Sequence, residues 1–151
     1  MEISVESNSP EQTESLAIIL GGNLKGGEVI ELISDIGGGK TTFTRGLAQA
    51  ISSGNKVASP TFTISRVYNG KGIDIHHFDF YRLKNIGIMQ YELADIMLDS
   101  KNVVVIEWAE LVESVLPKEK LKIRFEYLGE DSRKLVFTYP ESLSYLTKGL
   151  C

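Results

Sequence analysis

Residues 28–51 constrain this chain more than any other stretch. A short apolar run at 29–33 meets three consecutive glycines, Gly37, Gly38 and Gly39, and then Lys40, Thr41 and Thr42. Phe43, Leu47, Ala48 and Ile51 follow at helical spacing. A buried strand, a glycine loop and an amphipathic helix in that order make a phosphate-binding unit. Glycines let backbone N–H groups close around phosphate oxygens, and the helix start favours negative charge. In such a loop Lys40 reaches the terminal phosphates and the Thr41 hydroxyl ligates magnesium. The pattern G-x-x-x-x-G-K-[ST] wants glycine where this chain has Ser34. A Cβ there is tolerated if the backbone is not left-handed, and costs about 1 to 2 kcal/mol if it is. The plainer reading is a glycine-rich turn joining a strand to a helix. The nucleoside-triphosphate reading prevails because all three parts fall where the motif requires.

With 151 residues and 42% hydrophobic content, residues 1–151 are expected to form one domain with its own core. A net charge of −4 supplies no global basic field, so charge implies no nucleic-acid binding, although a nucleotide can bind locally. The single cysteine, Cys151, rules out an internal disulfide framework and fits a reducing compartment. No apolar run approaches the roughly 18 residues of a membrane span, and residues 1–9 lack the regions of a signal peptide. A cytoplasmic protein with no membrane attachment is expected.

In chain order, Ser9-Pro10-Glu11-Gln12 reads as a helix start, with Ser9 as N-cap, Pro10 in the first turn and Gln12 completing a capping box. Thr13, Leu16, Ala17 and Leu20 continue it until Gly21 and Gly22. Its polar start caps a helix or touches a nucleotide base, and capping is the better account from the residues. Ser59-Pro60-Thr61 lies beyond the glycine-loop helix, where nucleotide hydrolases place a phosphate-sensing segment, or else is a rigid strand entry. Segments 62–68 and 73–80 flank Asn69-Gly70 and read as a hairpin, which makes part of the sheet antiparallel.

The second strand of that hairpin carries His77 and Asp79 on one face and His76, Phe78 and Phe80 on the other. Adjacent histidines point apart and no cysteine lies near, so zinc is a weak reading. Asp79 is either a carboxylate for magnesium or water, or a turn cap. Residues 83–100 read as a loop and a helix with Tyr91, Leu93, Ala94, Met97 and Leu98 on its apolar side and Glu92, Asp95 and Asp99 in solvent. The run 102–106 then ends in Glu107 and Trp108, as a buried parallel strand delivers a metal-binding carboxylate to its C-terminal edge. Trp108 is a core or lid aromatic, or packs beside the nucleotide. Segments 121–127 and 134–139 suggest a second hairpin, with Arg133 either solvated or near phosphate, and 143–150 suggests a short terminal helix. The expected fold class is α/β, a three-layer P-loop NTPase domain with a mixed parallel and antiparallel sheet.

Taken together, Ser34-Asp35-Ile36-Gly37-Gly38-Gly39-Lys40-Thr41-Thr42-Phe43, Ser59-Pro60-Thr61-Phe62-Thr63, His77-Phe78-Asp79-Phe80-Tyr81-Arg82-Leu83 and Glu107-Trp108 resemble the TsaE (YjeE) family in order and spacing. The resemblance covers nearly the whole chain. It implies a small P-loop ATPase that works with TsaB and TsaD homologues to make N6-threonylcarbamoyladenosine at position 37 of tRNAs reading codons that begin with A. By that likeness Gly37 to Thr42 hold the phosphates of ATP, and Ser34, Asp35 and Ile36 belong with them to the nucleotide-binding loop. Thr41 and Glu107 hold Mg2+, Asp79 acts on the metal or the attacking water, and residues 59–61 form a switch. It also places Ser9, Thr13, Trp108, Glu110 and Arg133 around the nucleotide, with tRNA met only through the complex. Ser34 and Phe80 depart from the family's usual Gly and Leu.

Two other classes fit the loop itself. A small-metabolite P-loop kinase would add a lid carrying arginines, and 83–100 offers none. A nucleotide-binding module that never hydrolyses shares every motif named above.

Overall fold

A computed structural model describes every residue except Ile36, 55–63, Arg82 and Ile86. In chain order the described residues form β1 (Glu2–Ser7), α1 (Pro10–Gly22), β2 (Val29–Ile33), α2 (Lys40–Ala50), β3 (Ser65–Asn69), β4 (Asp74–Asp79), α3 (Met89–Leu98), β5 (Asn102–Glu107), β6 (Leu121–Tyr127) and β7 (Arg133–Thr138). Two 3-10 segments lie at Ala109–Val115 and Glu141–Thr147.

The strands make one sheet in the order β1-β7-β6-β2-β5-β4-β3. Its four inner strands, β6, β2, β5 and β4, run parallel. Antiparallel β7 and β1 extend one side and antiparallel β3 the other. This is the mixed α/β sheet that the sequence predicts. β5 is buried along its whole length, as an apolar strand covered on both faces must be. Val103 and Val105 face the cluster containing α1 and α2, and Val104 and Ile106 face the one containing α3 and the first 3-10 segment. Helix, sheet, helix is the three-layer arrangement.

Ser9 caps α1 as expected, its Oγ accepting from Gln12 N at 3.1 Å. Gln12 returns its Oε1 to Asn8 N rather than to the capping residue itself. The helix also runs through Gly21 and Gly22, which the sequence had marked as its stop. Packing explains this: a Cβ on Gly21 would stand 2.5 Å from Ala50 Cβ, and one on Gly46 would stand 2.5 Å from Ala17 Cβ. Glycine therefore lets α1 and α2 approach closely enough to bury Leu16, Leu20, Phe43 and Leu47 between them and the sheet. Each such side chain contributes roughly 1.5–3 kcal/mol on burial.

Other expectations need correction. The apolar stripe of α3 is Met89, Leu93, Ile96 and Met97, whereas Tyr91 and Leu98 are 68% and 83% exposed. The i, i+4, i+7, i+8 phase set by Met89 leaves those two on the solvent side. β1 had not been foreseen. Its Ile3 and Val5 alternate with polar residues and pack half-buried on the larger cluster. The terminal element is a 3-10 segment with Leu146 buried. Both hairpins are present as β3–β4, for its described part, and β6–β7. Among the described residues, no helix is long and apolar enough to cross a membrane.

Candidate functional site

The parallel register brings the predicted residues into one row. Leu32 at the end of β2 pairs with Glu107, and Glu107 pairs with Asp79. The C-terminal edge of an open α/β sheet is where ligands bind, and the chain from β2 turns there into the glycine loop. A cavity of about 390 Å³ opens at this edge, lined by Gly37, Gly38, Gly39, Lys40, Thr41, Thr42, Asp79, Tyr81, Glu107 and Trp108.

Gly37 and Gly39 have φ of 83° and 103°, a backbone that side-chain-bearing residues rarely adopt. Gly39 is the N-cap of α2 and no side chain caps it, so the first-turn N–H groups face the cavity without an intrahelical partner. Positive φ among described non-glycine residues occurs at Ser52 and Trp108, so Ser34 is not left-handed and its Cβ sits without that strain. Its Oγ donates to Asp35 O at 2.8 Å. The side chain fills the space over Gly38, where any Cβ would overlap it. Ile36 lies outside the described residues, as do residues 59–61 and Arg82.

Lys40 is buried, and its Nζ donates to Ser34 O at 2.9 Å. The same nitrogen stands 5.3 Å from the Trp108 ring centre, a cation–π distance. Trp108 adopts φ 57° and ψ 56°. A left-handed tryptophan costs on the order of 1–3 kcal/mol and persists only where surroundings impose it. It packs on Tyr81 at 5.0 Å between ring centres. Asp79 Oδ1 accepts from Tyr81 N at 3.0 Å, as a turn cap does, and the residue lines the cavity. Glu107 is buried and meets His77, Nε2 to Oε1 at 3.0 Å.

Thr41, Asp79 and Glu107 supply the oxygen donors suited to a small hard cation. No group of three or more His, Cys, Asp or Glu is poised to hold a metal among the described residues. Magnesium takes one or two carboxylates and completes its shell with phosphate and water, so Thr41, Asp79 and Glu107 are the residues that could hold it. A smaller recess of about 120 Å³ lies on the other side of the loop, lined by Pro10, Thr13, Gly37, Gly39, Thr42, Glu130, Asp131 and Arg133. Arg133 Nη1 donates to Gly129 O at 2.8 Å and Ser132 O at 2.9 Å, and Nη2 reaches Gly37 O at 3.4 Å, so it ties the β6–β7 turn to the glycine loop. Thr13 Oγ1 is 2.7 Å from Ser7 Oγ. Ser9 is occupied as the cap of α1. Glu110 lines a separate small recess with Glu31, Ser34 and Trp108.

Sequence reasoning missed the His77–Glu107 contact and the Tyr81–Trp108 stack. The only available signal was that His77 and Asp79 share a face, because the partner strand's register is not written in either strand.

The sequence profile described as "Threonylcarbamoyl adenosine biosynthesis protein TsaE" matches residues 7–135. This chain belongs to the TsaE family. A Bacillus subtilis TsaE, named as a tRNA threonylcarbamoyladenosine biosynthesis protein, is 38% identical over 134 residues, 86% of this chain and 81% of its own. A Treponema pallidum TsaE is 33% identical over 129 residues, 85% of this chain and 95% of its own. The crystal structure of YdiB from Bacillus subtilis superposes with a TM-score of 0.79 at 31% identity, covering 99% of this chain and 94% of that one. The TsaE family signature thus spans all three inner strand ends that line the cavity.

Proposed function

We propose that this TsaE-family chain is a magnesium-dependent ATPase that serves formation of N6-threonylcarbamoyladenosine at position 37 of tRNAs reading A-starting codons, together with TsaB and TsaD homologues. The observation that carries the reading is the convergence of Lys40, Thr41, Asp79 and Glu107 on one cavity at the ends of β2, β4 and β5. The glycine loop and the first turn of α2 hold the phosphates through backbone N–H groups. Lys40 leaves the Ser34 carbonyl for the terminal phosphate. Thr41 and Glu107 are the residues to hold magnesium, and Asp79 orients the attacking water or joins the metal. Bound Mg2+ neutralises charge on the β- and γ-phosphate oxygens. Thr13, Trp108 and Arg133 flank the nucleotide on either side of the loop.

Turnover is expected to be slow alone and faster on docking with the partners, through which tRNA is met. Lys40 rests on a loop carbonyl and a tryptophan face rather than in open solvent. The net charge of −4 gives the chain no field with which to grip tRNA unaided, so RNA is met through the partners. The test is an ATP turnover assay with purified TsaB and TsaD homologues and tRNA. The rate is expected to rise in the complex, and Lys40→Ala and Thr41→Ala are expected to lose Mg-ATP binding with the fold intact. An unchanged rate, or threonylcarbamoyl transfer through many cycles without this chain, would sink the reading.

A further inference from the structure

Glu107 does not stand alone at the end of β5. His77 approaches it from β4, Nε2 to Oε1 at 3.0 Å, with side-chain exposures of 0% and 4%. The register makes this contact: His77 pairs with Val105, so Glu107 is the next residue along the same face. His76 points to the opposite face, where Nε2 meets Asn102 Oδ1 at 3.1 Å.

The partners assign the tautomer. His77 Nδ1 is buried with no hydrogen-bond partner among the described residues. A carboxylate only accepts, so Nε2 carries the proton and Nδ1 keeps a bare lone pair. The other tautomer would set two acceptors against each other and bury an unmet N–H.

We propose that His77 is the positioning residue of Glu107. Its Nε2–H pins Oε1 and so fixes which edge of the carboxylate is turned to the magnesium position. The inference rests on the reading of Glu107 as a magnesium ligand.

The experiment titrates ATP, with and without Mg2+, into the parent, His77→Leu, His77→Gln and Glu107→Ala by calorimetry. His77→Leu is expected to keep metal-free ATP affinity within about twofold and to lose roughly tenfold or more with magnesium, in the range seen when the partner behind a metal ligand is removed. His77→Gln returns an amide N–H near the Nε2 position and recovers most of that loss. The chain has two histidines. Long-range 1H–15N spectra of histidine-labelled parent, assigned with His76→Gln, are expected to report the Nε2–H tautomer at His77.

A magnesium response in folded His77→Leu equal to the parent's, an equal loss in the Leu and Gln variants, or the Nδ1–H tautomer each overturns the proposal. Should His77→Leu fail to fold, His77→Gln and the tautomer decide it: a folded Gln variant that loses the response, or the wrong tautomer, overturns it. Glu107→Ala separates the two readings. If it keeps the parent's magnesium response, the ligand reading falls; if it loses the response while His77→Leu keeps it, only the role of His77 falls.

Discussion

The two faces of the sheet are covered unequally. On one, α1 and α2 cross closely through Gly21 and Gly46 and bury a cluster reaching from Leu16 to Leu150. On the other, α3 and the 3-10 segment Ala109–Val115 bury a smaller cluster around Leu93, Ile106 and Val112, and leave Ile88, Tyr91 and Leu98 in solvent. The phosphate loop and Lys40 are anchored in the thick layer. The segments that leave Asp79 and Glu107 lead at once into the thin one. Fewer buried apolar contacts mean local opening at lower free energy. On the proposed reading the grip on phosphate would be set by the thicker packing, and any rearrangement on docking would fall to the thinner cover.

The sharpest way to break this comparison is to cut into each layer. Phe43 is fully buried against Phe125 and Phe137, with ring centres at 5.7 and 6.4 Å. Phe43→Ala is expected to lower unfolding free energy by about 3–5 kcal/mol. Leu93→Ala in the thin layer is expected to lose about 2–3 kcal/mol, because a layer held by fewer contacts relaxes more into the cavity left behind. Urea melts of both variants measure this, and equal losses would remove the distinction.

A smaller effect tests how the thick layer is tied off at its end. Glu28, buried before β2, accepts from Lys25 N at 2.7 Å, Gly26 N at 2.8 Å and the Tyr145 hydroxyl at 2.8 Å. Burial, and then the hydrogen bond and charge of Glu28, push the Tyr145 phenol above its ordinary range. Removing one bond to a charged group by Tyr145→Phe is expected to cost about 1.5 kcal/mol. Because the folded-state pKa is raised, this contribution is fully present below the ordinary phenol pKa of about 10 and is lost as pH climbs beyond it. The parent's denaturant midpoint should therefore fall more steeply above that pH than the midpoint of Tyr145→Phe, and identical slopes would show that the Tyr145 phenol is not raised by folding.

The smallest effect belongs to the loop itself. Ser34 carries no left-handed strain, so Ser34→Gly is expected to change ATP affinity by less than about tenfold, which is 1.4 kcal/mol. A larger gain in calorimetry would mean that the thick layer holds its loop in a compromised geometry.

The parts of this molecule written locally were legible in its sequence. The strand, glycine loop and helix of 28–51, the Ser9 cap, the apolar run ending in Glu107 and both turns depend on neighbours a few residues apart. Pairings between distant segments were not legible. β1 is short and half-exposed, so its alternation of Ile3 and Val5 carries little signal until β7 lies beside it. Tyr91 and Leu98 looked apolar enough for a core that α3 presents in another phase. His77 and Glu107 meet only because two parallel strands settled into one register, and nothing within either strand states that register.

If the proposed site holds, the row formed by Leu32, Asp79 and Glu107 would also couple ligand to folding. Its members lie far apart in the chain, and parallel strands pair only after long loops have closed, which is the slow, late part of folding a sheet. A half-assembled chain with α1, α2 and the glycine loop in place has no carboxylates opposite its lysine. On the proposed reading, magnesium-bound nucleotide would recognise the finished sheet rather than the motif. A ligand bound there at a hundred times its Kd steadies the whole domain by about 2.7 kcal/mol.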